Sequence, residues 1–191
     1  SGTFLVKGKE AAPKSPKEAI SLGIGLVPED RKAKGALLGL SIKNNINMPI
    51  YPKISSGTVI DTKKENEIAK KYKEEISIKT PNLEQLVKNL SGGNQQKVIL
   101  AKWLAADSDI LIFDEPTRGI DVGAKQEIYT LINSLVEAGK SVLMISSEME
   151  ELMGMSDRIV ILSEGRVTGE LDKHEFDQET IMHFASVARE G

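Results

Sequence analysis

The sequence predicts an α/β domain built on a mostly parallel sheet, and three observations carry that prediction. Short apolar runs at residues 24–27, 110–113 and 142–145 read as strands, each separated from the next by helical patterning. The middle run ends in Asp114-Glu115, which sets two carboxylates where a strand leaves a sheet. Near the C-terminus, Glu164-Gly165 sits between two alternating runs, the signature of a β-hairpin, with one more helix after it.

Taken in order, residues 3–6 are a β-prone run. Ser15-Pro16 is a serine cap with proline at the first helical position; it opens a helix ending near Gly23, and the strand at 24–27 follows. Residues 28–39 are polar and contain glycine, as a loop does, and Ser41 caps a short helix through Ile46. Residues 49–57 break the pattern with prolines and a glycine. Residues 61–77 form a highly charged helix with Ile68, Tyr72 and Ile76 along one face and a solvated opposite face. The next helix, 91–107, turns Val98, Leu100, Ala101, Leu104 and Ala105 inward. The strands at 110–113 and 142–145 read as buried on both faces. Between them lies a helix at 123–138 stopped by Gly139. A short helix at 148–153, hairpin strands at 158–162 and 166–171, and a helix capped by Asp177 and running through Val187 complete the chain. No linker, repeat or low-complexity tract divides it.

Composition narrows the class of function. With 191 residues, 40% hydrophobic and 28% charged, the chain has the makings of one folded domain rather than a disordered segment. It holds no cysteine, which excludes disulfides, thiolate metal sites and cysteine nucleophiles. Its net charge of -3 is spread without a basic stripe, which argues against nucleic acid as a partner. No apolar run approaches the ~18 residues that span a bilayer. The first residues lack the layout of a signal peptide, and a start at serine that enters a strand at once is equally compatible with a piece of something longer.

Two motifs carry chemistry. An aspartate at a strand end can hold Mg2+ directly or through water, and a neighbouring glutamate can orient or deprotonate an attacking water. The plainer alternative is that Asp114-Glu115 simply begins a solvated loop. Ser91-Gly92-Gly93 at a helix start leaves N–H groups and the positive end of the helix dipole facing outward, as a phosphate site requires; alone it is also a capping turn. A nucleotide site of this kind also needs a glycine-rich loop ending in Gly-Lys-Ser/Thr, and none precedes these motifs. Gly139-Lys140-Ser141 has the last three residues of such a loop, but the earlier glycine falls on Ser134 and the segment runs from helix into strand, so it reads as a helix stop.

The string Leu90-Ser91-Gly92-Gly93-Asn94-Gln95-Gln96, followed by an apolar strand and Asp114-Glu115-Pro116-Thr117, resembles the ATPase subunits of ABC transporters. Pro28-Glu29-Asp30-Arg31-Lys32, the run from Asp114 to Lys125 and Ser146-Ser147-Glu148-Met149 narrow the resemblance to the C-terminal ATPase half of the tandem ATP-binding subunit of bacterial ribose and galactose type importers. It extends nearly end to end. The implied fold is a truncated P-loop NTPase domain, with a helical signature region at about 41–107 and the acidic-motif strand and remaining core at about 108–191.

Carried over by position, the resemblance makes Ser91, Gly92, Gly93 and Gln95 signature residues, Asp114 the Mg2+-linked acid and Glu115 the catalytic glutamate. Asp121 matches the aspartate of the loop that crosses to a partner domain, and it also reads as a helix N-cap. Two positions depart from the pattern: Glu29 stands where a glutamine usually contacts metal and water, and Ser147 where a histidine usually contacts the γ-phosphate. Serine is shorter and uncharged, so it lacks that reach. His174 and His183, near the C-terminus, read as surface or packing residues.

The resemblance implies ATP and Mg2+ as cofactors, and as partners an N-terminal ATPase half, membrane permease subunits and, indirectly, a periplasmic or lipid-anchored sugar-binding protein. It implies a peripheral position on the cytoplasmic face of the membrane. Because the halves of such ATPases sandwich ATP head to tail, the 191-residue chain by itself is expected to be inactive. Exposed sheet edges would invite dimerisation. Two other readings share parts of the pattern: a soluble ABC-type ATPase acting on ribosomes or DNA, and a non-catalytic interaction module that keeps the fold.

Overall fold

The computed structural model describes residues 3–186, which divide at Ile145/Ser146 into two compact units. The first unit opens with a small hairpin of β1 (Leu5–Val6) and β2 (Lys9–Glu10), turning at Lys7-Gly8 with φ of 51° and 76°. In α1 (Pro16–Ser21) the Ser15 hydroxyl accepts the Glu18 N–H and proline opens the helix, as the sequence indicates. Strand β3 (Ile24–Val27) then enters the sheet.

The central sheet has three parallel strands in the order β3, β6 (Ile110–Asp114), β7 (Ser141–Ile145). Val27 pairs with Phe113 and Phe113 with Met144, so the three C-terminal ends lie side by side. Side chains alternate across these strands. One face carries Gly25, Val27, Leu111 and Phe113 and is sealed by α5 (Gly92–Ala105); Val27, Leu111 and Phe113 are wholly buried there. The other face carries Leu26, Leu143 and Ile145, which remain 46%, 56% and 49% exposed. The expectation of burial on both faces is therefore corrected at 142–145, where Leu143 and Ile145 are exposed, while Ile112 of the central strand is half-buried on that face. Gly25 is required by that covering, since a β-carbon there would stand 2.9 Å from Trp103 on α5.

Between β3 and β6 lies a helical layer. A π-helical turn (Arg31–Gly35), held by Asp30 accepting the Lys32 and Ala33 N–H groups, replaces part of the loop expected at 28–39. After it come α2 (Ile42–Asn47), capped by Ser41, then a 3-10 turn (Met48–Ile50), α3 (Tyr51–Ile54) and a hairpin of β4 (Ser55–Ser56) and β5 (Val59–Ile60). Residues 49–57 are thus largely structured, because Pro49 and Pro52 take first-turn positions where a missing N–H costs nothing. Helix α4 (Thr62–Glu75) lays Ile68, Tyr72 and Ala69 toward the layer and follows an Asp61 cap. Its buried Glu65 accepts from Tyr51 Oη at 2.8 Å and faces the Lys43 ammonium at 3.6 Å. Helix α6 (Val122–Glu137) links β6 to β7, and Gly139, at φ 84°, ends that connection.

The second unit contains α7 (Met149–Met155), the antiparallel hairpin of β8 (Arg158–Ser163) and β9 (Arg166–Asp172), and α8 (Gln178–Ser186). Glu164-Gly165 turns the hairpin with φ of 49° and 77°, the left-handed pair that such a turn demands. Ile159, Ile161, Leu171 and Ile181 form its core, with Phe176 and Phe184 against them. Asp177 caps α8 through the Thr180 N–H at 2.9 Å, and the expected end at Val187 lies outside the described residues. Among the described residues no helix is long and apolar enough to cross a membrane.

Candidate functional site

The C-terminal edge of the parallel sheet, where ligands bind in open α/β folds, is where the first unit collects its chemistry. Glu29 lies two residues beyond the end of β3, and Asp114 ends the central strand. Glu115 follows in a left-handed conformation, φ 50°, its N–H donating to the Ile145 carbonyl at 2.9 Å. Positive φ at a non-glycine residue is strained, and such strain gathers at functional sites. Two tight turns continue from it, with Arg118 N–H donating to the Glu115 carbonyl and Ile120 N–H to that of Thr117. Thr117 is buried, which anchors the loop; Asp121 ends it, its carboxylate accepting the Ala124 N–H at 3.0 Å as the N-cap of α6.

The signature string opens α5. Ser91 is the N-cap residue, yet its side chain makes no cap bond to the helix backbone; its Oγ instead accepts from Asn94 Nδ2 at 2.9 Å. Asn94 Oδ1 in turn accepts the Lys79 N–H at 2.7 Å. The first N–H groups of such a helix have no partner within it and favour an anion. Gly93 keeps that end bare for packing, since a β-carbon there would lie 3.0 Å from Ala124 Cβ; one on Gly92 would make ordinary contact, 3.7 Å from the Gly119 carbonyl. The structure therefore joins the signature helix to the loop after β6. Gln95 points elsewhere; it is buried and donates to the Leu90 carbonyl at 3.1 Å and that of Val87 at 3.3 Å, so it shapes the entry to the helix. Asn94 is the neighbour that reaches Ser91, a role sequence reading passed over because the fifth position of the string carried no distinguishing spacing.

By strand alternation, Asp114 belongs to the face with Leu143 and Ile145, opposite the face that α5 covers. The glycine-opened helix and the strand-end carboxylate thus belong to different sides of one sheet. Glu29 forms an ion pair with Arg118, which ties the exit of β3 to the loop after β6. Ser147 lies in the second unit, exposed, near Ser146, whose hydroxyl bonds the Glu151 carboxylate and accepts the Glu148 N–H at 3.0 Å.

Among the described residues no group of three or more histidines and carboxylates could hold a cation unaided. Asp114 alone suits Mg2+, which takes one or two carboxylates and fills its remaining positions with phosphate oxygens and water.

On α6, Glu127 accepts from Lys79 and from Lys97, both at 2.8 Å, and Lys97 also donates to the Ser77 carbonyl. These two lysines, Lys79 first, hold the Glu127 carboxyl down at about 2. Lys102, near the end of α5, donates to the Gly35 carbonyl at 2.6 Å, and burial lowers its pKa to about 8.

A parallel sheet with carboxylates at the end of its central strand and one face covered by a glycine-opened helix has the α/β architecture of the ATP-binding-cassette class. A solved dimeric ATP-binding cassette, in a post-hydrolysis state bound to ADP and Pi, shares the fold with a TM-score of 0.72, at 21% identity, over 90% of this chain and 73% of that one. The ABC transporter family profile matches residues 1–118, and the chain belongs to that family. It is similar to the xylose import ATP-binding protein XylG of Thermoanaerobacter pseudethanolicus, 49% identical over 185 residues, which covers 97% of this chain and 37% of the relative. It is also similar to the ribose import ATP-binding protein RbsA of Bacillus subtilis, 47% identical over 188 residues, covering 98% of this chain and 38% of the relative. The chain spans just over a third of the length of these relatives.

Proposed function

We propose that the chain is the C-terminal cassette of a two-cassette ATPase that drives import of a monosaccharide, seated peripherally on the cytoplasmic face of the membrane beneath permease subunits. Its similarity along 97% of its length to relatives named for xylose and ribose import supports the substrate class. The observation that carries the reading is the separation of α5 and Asp114 onto opposite faces of one sheet, which suits a domain contributing to two nucleotide sites.

Ser91, Gly92 and Gly93 would present a hydroxyl and helix N–H groups to the phosphates of ATP held by the N-terminal cassette. Because Ser91 Oγ accepts from Asn94, its own proton is left to donate to a phosphate oxygen. On the other face Asp114 would hold Mg2+ and Glu115 would orient or deprotonate the attacking water. Bound Mg2+ supplies neutralisation of the phosphate charge. Glu29, engaged with Arg118, makes this second site the weaker one; Ser147 stands where the family pattern has a histidine and lacks its reach. In the two-cassette protein, Ser91→Ala is expected to cost far more transport-coupled ATP turnover than Glu115→Gln. Comparable losses from the two substitutions would count against the division of labour.

A further inference from the structure

Arg31 follows Glu29 and Asp30 at the exit of β3 and is half-buried. Its Nη1 donates to the Arg118 carbonyl at 2.7 Å, and its Nη2 to the Gly119 carbonyl at 3.5 Å. The same Nη2 lies 3.6 Å from the place a β-carbon would take on Gly92, and 3.6 Å from one on Gly119. One guanidinium thus meets three segments far apart in sequence: the π-helical turn, the loop after β6 and the first residue of α5. Arg118, whose carbonyl it holds, sends its own side chain back to Glu29. The two arginines cross-link the two loops in opposite directions, one through backbone carbonyls and one through a carboxylate.

The arrangement has a cost. Arg31 Nε is buried with no hydrogen-bond partner among the described residues, and an unsatisfied buried donor is destabilising unless it serves a placement. The planar fork explains the residue type, since an ammonium is a point donor that cannot address two successive carbonyls in one fixed geometry.

We propose that Arg31 is the positioning residue that sets the loop at 118–121, and with it Asp121, against the N-terminus of the signature helix. Its effect on loop order rests on geometry alone; its effect on turnover rests on the ATPase reading above. Asp121 caps α6 through one face of its carboxylate and stands in the loop that Arg31 holds, so a displaced loop moves Asp121 and the rim beside Gly92 together.

Hydrogen exchange on the 191-residue chain tests the first part, read at the Arg118 and Ile120 amides, which are bonded to Glu115 and Thr117. Losing hydrogen bonds from a charged donor is expected to speed exchange there about tenfold or more in Arg31→Ala, with β8 and β9 unchanged. Arg31→Lys keeps the charge and the fold and is expected to restore only part of the protection. Steady-state ATP turnover in the two-cassette protein tests the second part: Arg31→Lys should lower kcat about tenfold while leaving KM for ATP near wild type. Unchanged exchange at Arg118 and Ile120 in both variants would overturn the proposal. So would faster exchange with wild-type kcat in a protein that Ser91→Ala inactivates, which leaves the ATPase reading standing. Wild-type turnover in both the Arg31 and the Ser91 variants would remove the ATPase reading itself, and Arg31's part in it.

Discussion

Removing the Glu127 carboxylate is expected to destabilise the first unit by about 2 kcal/mol, nearly all of it through Lys97. Glu127 bridges two ammonium groups of unequal setting, with the Lys79 side chain 70% exposed and that of Lys97 only 6% exposed. The exposed pair is screened by solvent and contributes little. For Lys97, unit charges about 3 Å apart at an effective dielectric of about 20 attract by roughly 5 kcal/mol before screening. Glu127 is itself 43% exposed, which cuts this to about 2 kcal/mol. Glu127→Ala leaves a buried ammonium with only the Ser77 carbonyl. Urea unfolding followed by fluorescence suits the measurement, because Trp103 is the sole tryptophan and lies on α5 in the same unit. At a slope of about 2 kcal/mol per molar, the midpoint should fall by about 1 M. In a Lys97→Met background the same substitution should cost under about 0.5 kcal/mol. An equal cost in both backgrounds would refute the reasoning. The folded carboxyl titrates near 2 against an ordinary 4.5, so its contribution is complete above 4.5 and is lost as pH falls toward 2, where the variant and the wild type should converge.

Lys102 gives a pH dependence of the same sign in a higher window, for the opposite reason: burial disfavours its charge. The folded chain releases its proton near 8 and the unfolded chain near 10.5, so stability should rise between those values; Lys102→Met should flatten that rise, and a wild-type curve already flat there would contradict the assignment. Gly25→Ala drives a methyl to 2.9 Å from Trp103 and should cost about 1–3 kcal/mol with a shifted Trp103 emission; wild-type stability would show that α5 is free to move off β3. In the second unit Gly169→Ala would press to 2.7 Å from Phe184, and faster amide exchange across β9 and α8 is expected, with none in β6.

What the sequence makes legible is chemistry that acts locally. Ser15, Ser41, Asp61 and Asp177 cap helices because a side-chain oxygen finds an N–H three residues on, a relation contained in the spacing itself. The strand at residues 24–27 and the hairpin turn at Glu164-Gly165 are of the same kind. Long-range relations are not. Pro49 and Pro52 break a helix or start one depending on what the chain packs against, and here they start short turns. Asn45 is buried, accepting from the Leu37 N–H at 2.8 Å and donating to the Leu37 carbonyl at 3.0 Å, which organises a loop that polar composition alone leaves open. The same limit applies at the site: Asp114, Glu115, Ser91 and Gly92 stand out by motif. The guanidinium of Arg31 on Gly119, and the choice of Asn94 over Gln95 as the residue beside Ser91, depend on contacts no spacing reveals.

The division of the site into a donated half and a weak resident half is tested most directly by Mg2+-dependent ATP turnover of the 191-residue chain alone, of the matching N-terminal cassette alone, and of their mixture. The chain alone should show none, the mixture should turn over, and Ser91→Ala in the chain should abolish the gain while Glu115→Gln leaves much of it. Robust turnover by the chain alone, or a mixture whose activity survives Ser91→Ala, would contradict it.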